Sequence, residues 1–453
     1  MDLKWTIVVL LLILHAESPS QAGGEARPAA KIKLTLDTAI AIALDQNRDV
    51  MIADKERFKA DAQVNEAWAG ALPQFSLAAG FTRNFMLPVL FLPPNTVFNP
   101  GNSTLALELG SKNSYLLGAY ISQTLFNRKI GVALDIAHTY NDFVQDGYRA
   151  TTQNVTLTVK KAFYAVLLAR ELTKAIREGL EVVRSNVENV RAQYAHGSAA
   201  EYDLLRAEVE FANTEPSLIS VENSYVLSVN SLKNVLAIPQ ETEVEVGGGL
   251  SFDDVPAEAM EEARRNVLSA NPAIRQLALQ EQMLDMNISI ERANNFPTLS
   301  LVGTYQYQTQ DNTFKFNNYL WATSLNVGVQ LSFPVFDGFR TSARTEQATI
   351  DRDMAHYARL KAEEGLKIQL QAAELRMAEA KKRIAGQERS IAQSEKAVKI
   401  AQTRYKSGVG TQLELMDSRV AMTRARATYA QALYDFLVAK AEWENAAGYS
   451  VSH

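Results

Sequence analysis

From Trp321 to Phe333 apolar and polar residues alternate. Trp321, Leu325, Val327, Val329, Leu331 and Phe333 fall on one side, and Ser324, Asn326, Gly328, Gln330 and Ser332 on the other. A period of two is that of a β-strand with unlike faces. Thr298 to Thr309 behaves the same way, with Leu299, Leu301, Tyr305 and Tyr307 set against Thr298, Ser300, Thr304, Gln306 and Gln308. Together these runs predict a hairpin over 298–336. A weaker version spans 74–126: Phe75, Leu77 and Phe81 oppose Ser76, Gly80 and Thr82, and Tyr115, Leu117 and Ile121 oppose Gly118, Tyr120 and Ser122. The connections are expected as loops, a long one from Leu87 to Ser114 and a short one from Gln310 to Tyr319.

Elsewhere the apolar spacing is helical. A first helix is predicted from Leu36 to Ala71, with Ala39, Ile40, Ala43 and Leu44 on one face, and a matching one from Ala257 to Asn295. Pro73 and Pro297 stop them. Proline is then absent from Arg128 to Tyr194 and from Arg340 to Tyr405. At 1.5 Å per residue each such helix reaches about 100 Å, far beyond the average of ~10–14 residues. Glycine just past each end supplies a left-handed cap at Tyr194-Ala-His-Gly197 and Tyr405-Lys-Ser-Gly408. Return helices follow over 199–237 and 411–447, the first with a kink expected at Pro216. The long helices carry apolar stripes that need partners, so a coiled-coil-like assembly is indicated.

The same order of parts occurs twice. Leu-Pro-Gln-Phe-Ser-Leu77 returns as Phe-Pro-Thr-Leu-Ser-Leu301, Ser122-x-x-Leu-Phe-Asn127 as Ser332-x-x-Val-Phe-Asp337, and Tyr194-x-x-Gly197 as Tyr405-x-x-Gly408. Such self-similarity marks an internal duplication. It divides the chain into a first repeat at 23–238 (hairpin 74–126, long helix 128–194), a linker at 239–256, a second repeat at 257–448 (hairpin 298–336, long helix 340–405) and a tail at 449–453.

Composition narrows the function. The 453 residues carry a net charge of −5 with both signs interspersed, which argues against nucleic acid as a partner. There is no cysteine, so thiolate metal sites, disulfides, a cysteine nucleophile and lipidation of an N-terminal cysteine are excluded. The five histidines are scattered, and neither a His-Glu-x-x-His box nor a Gly-x-Ser-x-Gly turn is present. Gly247-Gly248-Gly249 lacks the lysine of a phosphate loop. No catalytic residue, metal or cofactor is therefore expected. Residues 1–22 read as a secretory signal: Lys4, an apolar run from Thr6 to Leu14, then small residues up to Ala22. That run is about nine residues, against the ~20 needed to span a bilayer.

A two-faced hairpin fits a soluble sandwich or a membrane barrel. Each half offers only two strands and nothing else to complete a sandwich, and Tyr and Trp lie toward the ends of the apolar face, as in an interfacial girdle. Four strands cannot close a barrel, for which about eight is the practical minimum. Two copies would supply eight strands and three would supply twelve, and the helices favour the larger number. The expectation is an α+β membrane protein: a β-barrel shared between chains, continuous with a long α-helical coiled-coil barrel. A soluble periplasmic coiled-coil scaffold is the alternative.

The order of parts, with Leu34-Thr-Leu-Asp37 leading to Ala43-Leu44-Asp-Gln-Asn47, Asn271-Pro272, Pro334-Val-Phe-Asp-Gly338 and both tip turns, resembles the TolC-type outer-membrane efflux family over residues 34–448. The resemblance implies a homotrimer with a twelve-stranded β-barrel in outer-membrane lipid and a helical tunnel through the periplasm. It implies a periplasmic adaptor (membrane fusion protein) and an inner-membrane transporter as partners, and passive conduction of drugs, toxic compounds or metal ions. The exit duct of a type I protein secretion system has the same architecture.

Acids nine and twelve residues after the second tip tyrosine line the family's constriction; here they are Glu414 and Asp417. On spacing alone they read as a solvated helix face. The resemblance makes them two carboxylate rings that attract cations. It adds Asp203 to the constriction. The family's latch arginine is replaced by Gly410, which leaves Arg206 or Arg419 as the gate cation. Tyr194, Gly197, Ser198, Tyr405, Gly408 and Val409, with Ala199 and Thr411, form the tips to which an adaptor would dock.

Overall fold

The computed structural model describes residues 32–449. The expected signal segment and the last four residues lie outside the described residues. A short strand β1 (Ile32–Leu34) leads to α1 (Leu36–Gln46) and α2 (Arg48–Ala69). Strands β2 (Gln74–Arg83), β3 (Val89–Leu92), β4 (Leu105–Glu108) and β5 (Asn113–Phe126) follow, then α3 (Arg128–Ala195), α4 (Glu201–Val235) and β6 (Val244–Val246). The second half runs α5 (Ala257–Ala270), α6 (Pro272–Arg292), β7 (Thr298–Asp311), β8 (Ala322–Ser332), α7 (Arg340–Lys406) and α8 (Gln412–Ala447).

The long helices hold 68 and 67 residues without a break. The 35-residue α4 continues through Pro216. Three expectations are corrected. Each first helix is two helices, because Asn47 and Asn271 leave helical geometry (ψ 132° and 118°) and cap the second piece with their side chains. An asparagine that accepts from the next turn's N–H groups starts a helix rather than continuing one. The long loop from Leu87 to Ser114 contains the antiparallel β3–β4 hairpin. The linker contributes β6, which pairs in parallel with β1.

Strands β2, β5, β7 and β8 form one antiparallel sheet in the order β2-β5-β7-β8. Directly opposed residues in such a ladder point to the same side. One side is built from rows such as Phe75–Ile121–Gly303–Val327 and Leu77–Ala119–Tyr305–Leu325. The other has Ser76–Tyr120–Thr304–Asn326 and Ala78–Gly118–Gln306–Ser324. The apolar side is not covered by the chain: Leu77 is 82% exposed and Val327 71%. Burying a Val, Leu or Phe side chain is worth about 1.5–3 kcal/mol, so this face forfeits a substantial driving force while it stays in water.

The helical part has two cores. One joins Leu34, Ile40, Val159, Phe163, Leu232 and Val246, all from the first half. The other joins Val267, Leu370, Met377, Leu433, Phe436 and Trp443 from the second. Ion pairs tie the halves together near the middle of the helical body: Lys160 with Glu444 (2.5 Å) and Lys161 with Glu442 (2.6 Å), the latter also held by Arg376. Helices thus pack side by side into a wall, with the sheet at one end and the two helical turns at the other.

Candidate functional site

The two turns close by the same hydrogen bonds. Ser198 N–H donates to Gln193 O and Gly197 N–H to Tyr194 O; Val409 N–H donates to Arg404 O and Gly408 N–H to Tyr405 O. Gly197 (φ +70°) and Gly408 (φ +75°) take the left-handed conformation that the reversal requires. Ser198 Oγ adds a bond to Gln193 O. Thr411, expected on the docking surface, is the N-cap of α8 and accepts from Glu414 N–H. Tyr194 and Val409 are exposed, as a contact surface requires.

The turns also meet each other. Tyr405 Oη donates to Gln193 Oε1 at 3.4 Å, joining the end of α7 to the end of α3. Further up, Arg426 on α8 bridges Glu178 on α3 (3.0 Å) and Glu395 on α7 (3.2 Å). Within the first hairpin Arg191 pairs with Glu208 at 2.7 Å. Gln193 and Arg426 were not singled out from sequence; nothing in linear spacing brings residues so distant in the chain together.

The acids differ in environment. Glu414 lies 3.4 Å from Arg404 Nε, and the same guanidinium donates to Val409 O. It is therefore tied to its own turn. Asp417 is exposed, Asp203 half-buried and Arg206 exposed, and no ion pair is found for any of them among the described residues. Arg419 is half-buried, and burial alone holds its guanidinium below the ordinary arginine value. A side chain at Gly410 would force this turn to shift: a Cβ would come within 2.8 Å of Arg404 Cβ and 3.0 Å of Tyr405 N. The cation in contact with this turn is Arg404, whose guanidinium reaches Glu414 and Val409 O.

No group of three or more metal-ligating side chains occurs among the described residues. No described helix is long and apolar enough to cross a membrane. The strands are the elements suited to lipid, each of the four sheet strands holding between 10 and 14 residues against the ~9–11 a transmembrane strand needs.

The outer membrane efflux protein model matches residues 39–237 and 263–449. The chain belongs to the outer membrane efflux protein family. Its place is the outer membrane, with the helical barrel in the periplasm, and the family is one of channels rather than enzymes. The soluble-scaffold alternative falls with that assignment. The chain is similar to the outer membrane protein TolC of Vibrio cholerae, 23% identical over 316 residues, covering 68% of this chain and 66% of that one. It is also similar to the alkaline protease secretion protein AprF of Pseudomonas aeruginosa, 24% identical over 306 residues, covering 66% and 63%. The match thus spans a little under two thirds of these curated relatives. Its fold is that of the Campylobacter jejuni CmeC outer membrane channel: TM-score 0.72, 17% identity, covering 91% of this chain and 85% of that one.

Proposed function

We propose that the protein is the outer-membrane exit duct of a tripartite efflux system. One observation carries this reading. A sheet with an exposed apolar face, a polar opposite face and two open edges sits at the end of helices of 68 and 67 residues. Open edges are not tolerated in lipid. The β2 edge of one copy therefore pairs with the β8 edge of the next, a head-to-tail contact that closes into a ring. Three copies give twelve strands, with the apolar face toward lipid and the Ser76–Asn326 face lining the lumen.

Below the sheet, α4 leaves Tyr202, Leu205, Val209, Ile219 and Val226 exposed at coiled-coil spacing, and α7 leaves Ile350, Met354 and Tyr357. These stripes are what neighbouring copies would cover. The turns then converge at the far end, where Glu414, Asp417 and Asp203 ring the opening and Arg404, Arg206 and Arg419 supply counter-charge. Tyr194, Gly197, Ser198, Tyr405, Gly408 and Val409 face a periplasmic adaptor, which joins the duct to an inner-membrane transporter. Small molecules pass without work done by the duct.

The test is fractionation followed by planar-bilayer recording. A detergent-extracted outer-membrane trimer with single-channel conductance is expected; a non-conducting monomer would overturn the reading. The likeness to AprF favours one second reading, the exit duct of a protein secretion system. Co-purification distinguishes the two by whether the inner-membrane partner is an ion-driven efflux pump or an ATP-driven exporter.

A further inference from the structure

At the end of the sheet away from the helices, β2 and β5 continue into an arm. Asn84 N–H donates to Lys112 O and Leu109 N–H to Pro88 O, and the ladder resumes as β3–β4. The register puts Leu90, Leu92, Leu105 and Leu107 on one face and Val89, Phe91, Ala106 and Glu108 on the other. Between Asn84 and Ser111 the only charged residue is Glu108. At the arm's tip Val97 and Phe98 are 94% and 81% exposed.

The arm is nevertheless a built object. Its tip is organised by Asn99, only 6% exposed, whose Nδ2 donates to Leu92 O, Pro93 O and Ser103 O while its Oδ1 accepts from Gly101 N–H. Its root is stitched to the β7–β8 connection: Asn113 Nδ2 donates to Thr313 O, Lys112 N–H to Asn312 Oδ1, and the Arg83 guanidinium lies 4.8 Å from the Phe314 ring. An isolated two-stranded hairpin is marginal in water, so a preformed one whose two faces are apolar apart from Glu108 needs cover on both. Lipid outside a barrel covers only the outward side. A closed ring of copies gives each arm a neighbour on either side, each meeting a different face.

We propose that the β3–β4 arm is a contact element between copies of this chain: the arms meet at the outer mouth, the leucine face of one against the Val89–Phe91 face of the next, and narrow the exit there. This rests on the barrel of several copies proposed above. The arm is rooted on β2, the edge strand that such a barrel must pair.

The absence of cysteine makes the test direct. In outer-membrane vesicles, a Phe91→Cys/Leu107→Cys chain treated with a short bis-maleimide is expected to form covalent oligomers at least fivefold more than either single variant, because the two positions lie on opposite faces. Equal, negligible cross-linking in all three, with native mass spectrometry still reporting the oligomer, would overturn the arm contact and leave the duct intact. A monomer in native mass spectrometry would sink both. Bimane on Phe91→Cys should be quenched less than twofold by brominated acyl chains; strong quenching would place the arm in lipid and overturn the proposal.

Discussion

Asn47 and Asn271 make the same contact in the two halves of the chain. Each ends one helix, caps the next, and donates from Nδ2 to a carbonyl in the last turn of the return helix, Val235 O at 2.8 Å and Ala446 O at 3.2 Å. The cap and the cross-helix bond come from one side chain, so removing it loses both. Asn271→Ala is expected to destabilise the second half by about 1–2 kcal/mol, read as an earlier midpoint in thermal unfolding followed by circular dichroism. Asn271→Asp, which keeps the cap and loses the donor, should fall between the two.

The sheet's faces predict opposite tolerance at neighbouring positions. Val327→Arg places a charge on the exposed apolar face and should cost about 2–4 kcal/mol near the bilayer midplane, seen as loss of assembled protein from the outer membrane. Asn326→Arg, one residue away on the polar face, should assemble normally. Equal tolerance of both would remove the lipid assignment of that face.

Glu414→Ala combined with Asp417→Ala should lower cation selectivity and weaken block by divalent cations in bilayer recordings. Arg404→Ala, which frees Glu414 and the Val409 carbonyl, should act oppositely and raise cation selectivity. Unchanged selectivity in the double variant would take both acids out of the constriction.

Gly410→Ala should disturb the second turn although alanine is small, because its Cβ meets backbone as well as the Arg404 side chain. The expected result is weaker recovery of an adaptor in pull-downs, with unchanged assembly in the membrane. Full adaptor binding would show that the turn can relax.

Acid should loosen the junction between α6 and α7. Burial alone would raise the Glu281 carboxyl, but hydrogen bonds from Arg359 and His356 hold it below the ordinary carboxylate value. A depressed folded pKa contributes stability that is present above the unfolded value, near pH 4, and is lost as pH falls through the folded one. Glu281→Gln should be less stable at neutral pH and should flatten the pH dependence of the unfolding midpoint below about pH 4.

The hairpins and long helices were legible because their signals are long: alternation from Trp321 to Phe333 and proline-free runs after Arg128 and Arg340. The breaks at Asn47 and Asn271 were legible only in part. Asn271-Pro272 is a helix-start signal, but helical spacing persists across it and hides the reversal of backbone angle. Strands β1 and β6 hold three residues each, too few for a period to emerge. The β3–β4 arm was hidden by its prolines and its lack of alternation, since both its faces are apolar apart from Glu108. At the tip, Glu414 and Asp417 were singled out by the family resemblance and not by spacing alone, whereas Arg404 and Gln193 act through a turn and a cross-hairpin contact that no linear period records.

The division into two cores makes the helices and the sheet unequal in how much of the chain they need. The core around Leu34, Phe163 and Val246 draws its buried members only from residues that have emerged by Val246. The sheet has no such independence, because β5 pairs with β7 as well as with β2. The first half can thus bury its own helical core while β2, β5 and the arm still lack the rest of their sheet. During that interval the apolar residues of β2 and the arm, Phe75, Leu77 and Phe91 among them, lack their cover, and a holding chaperone would have them to shield.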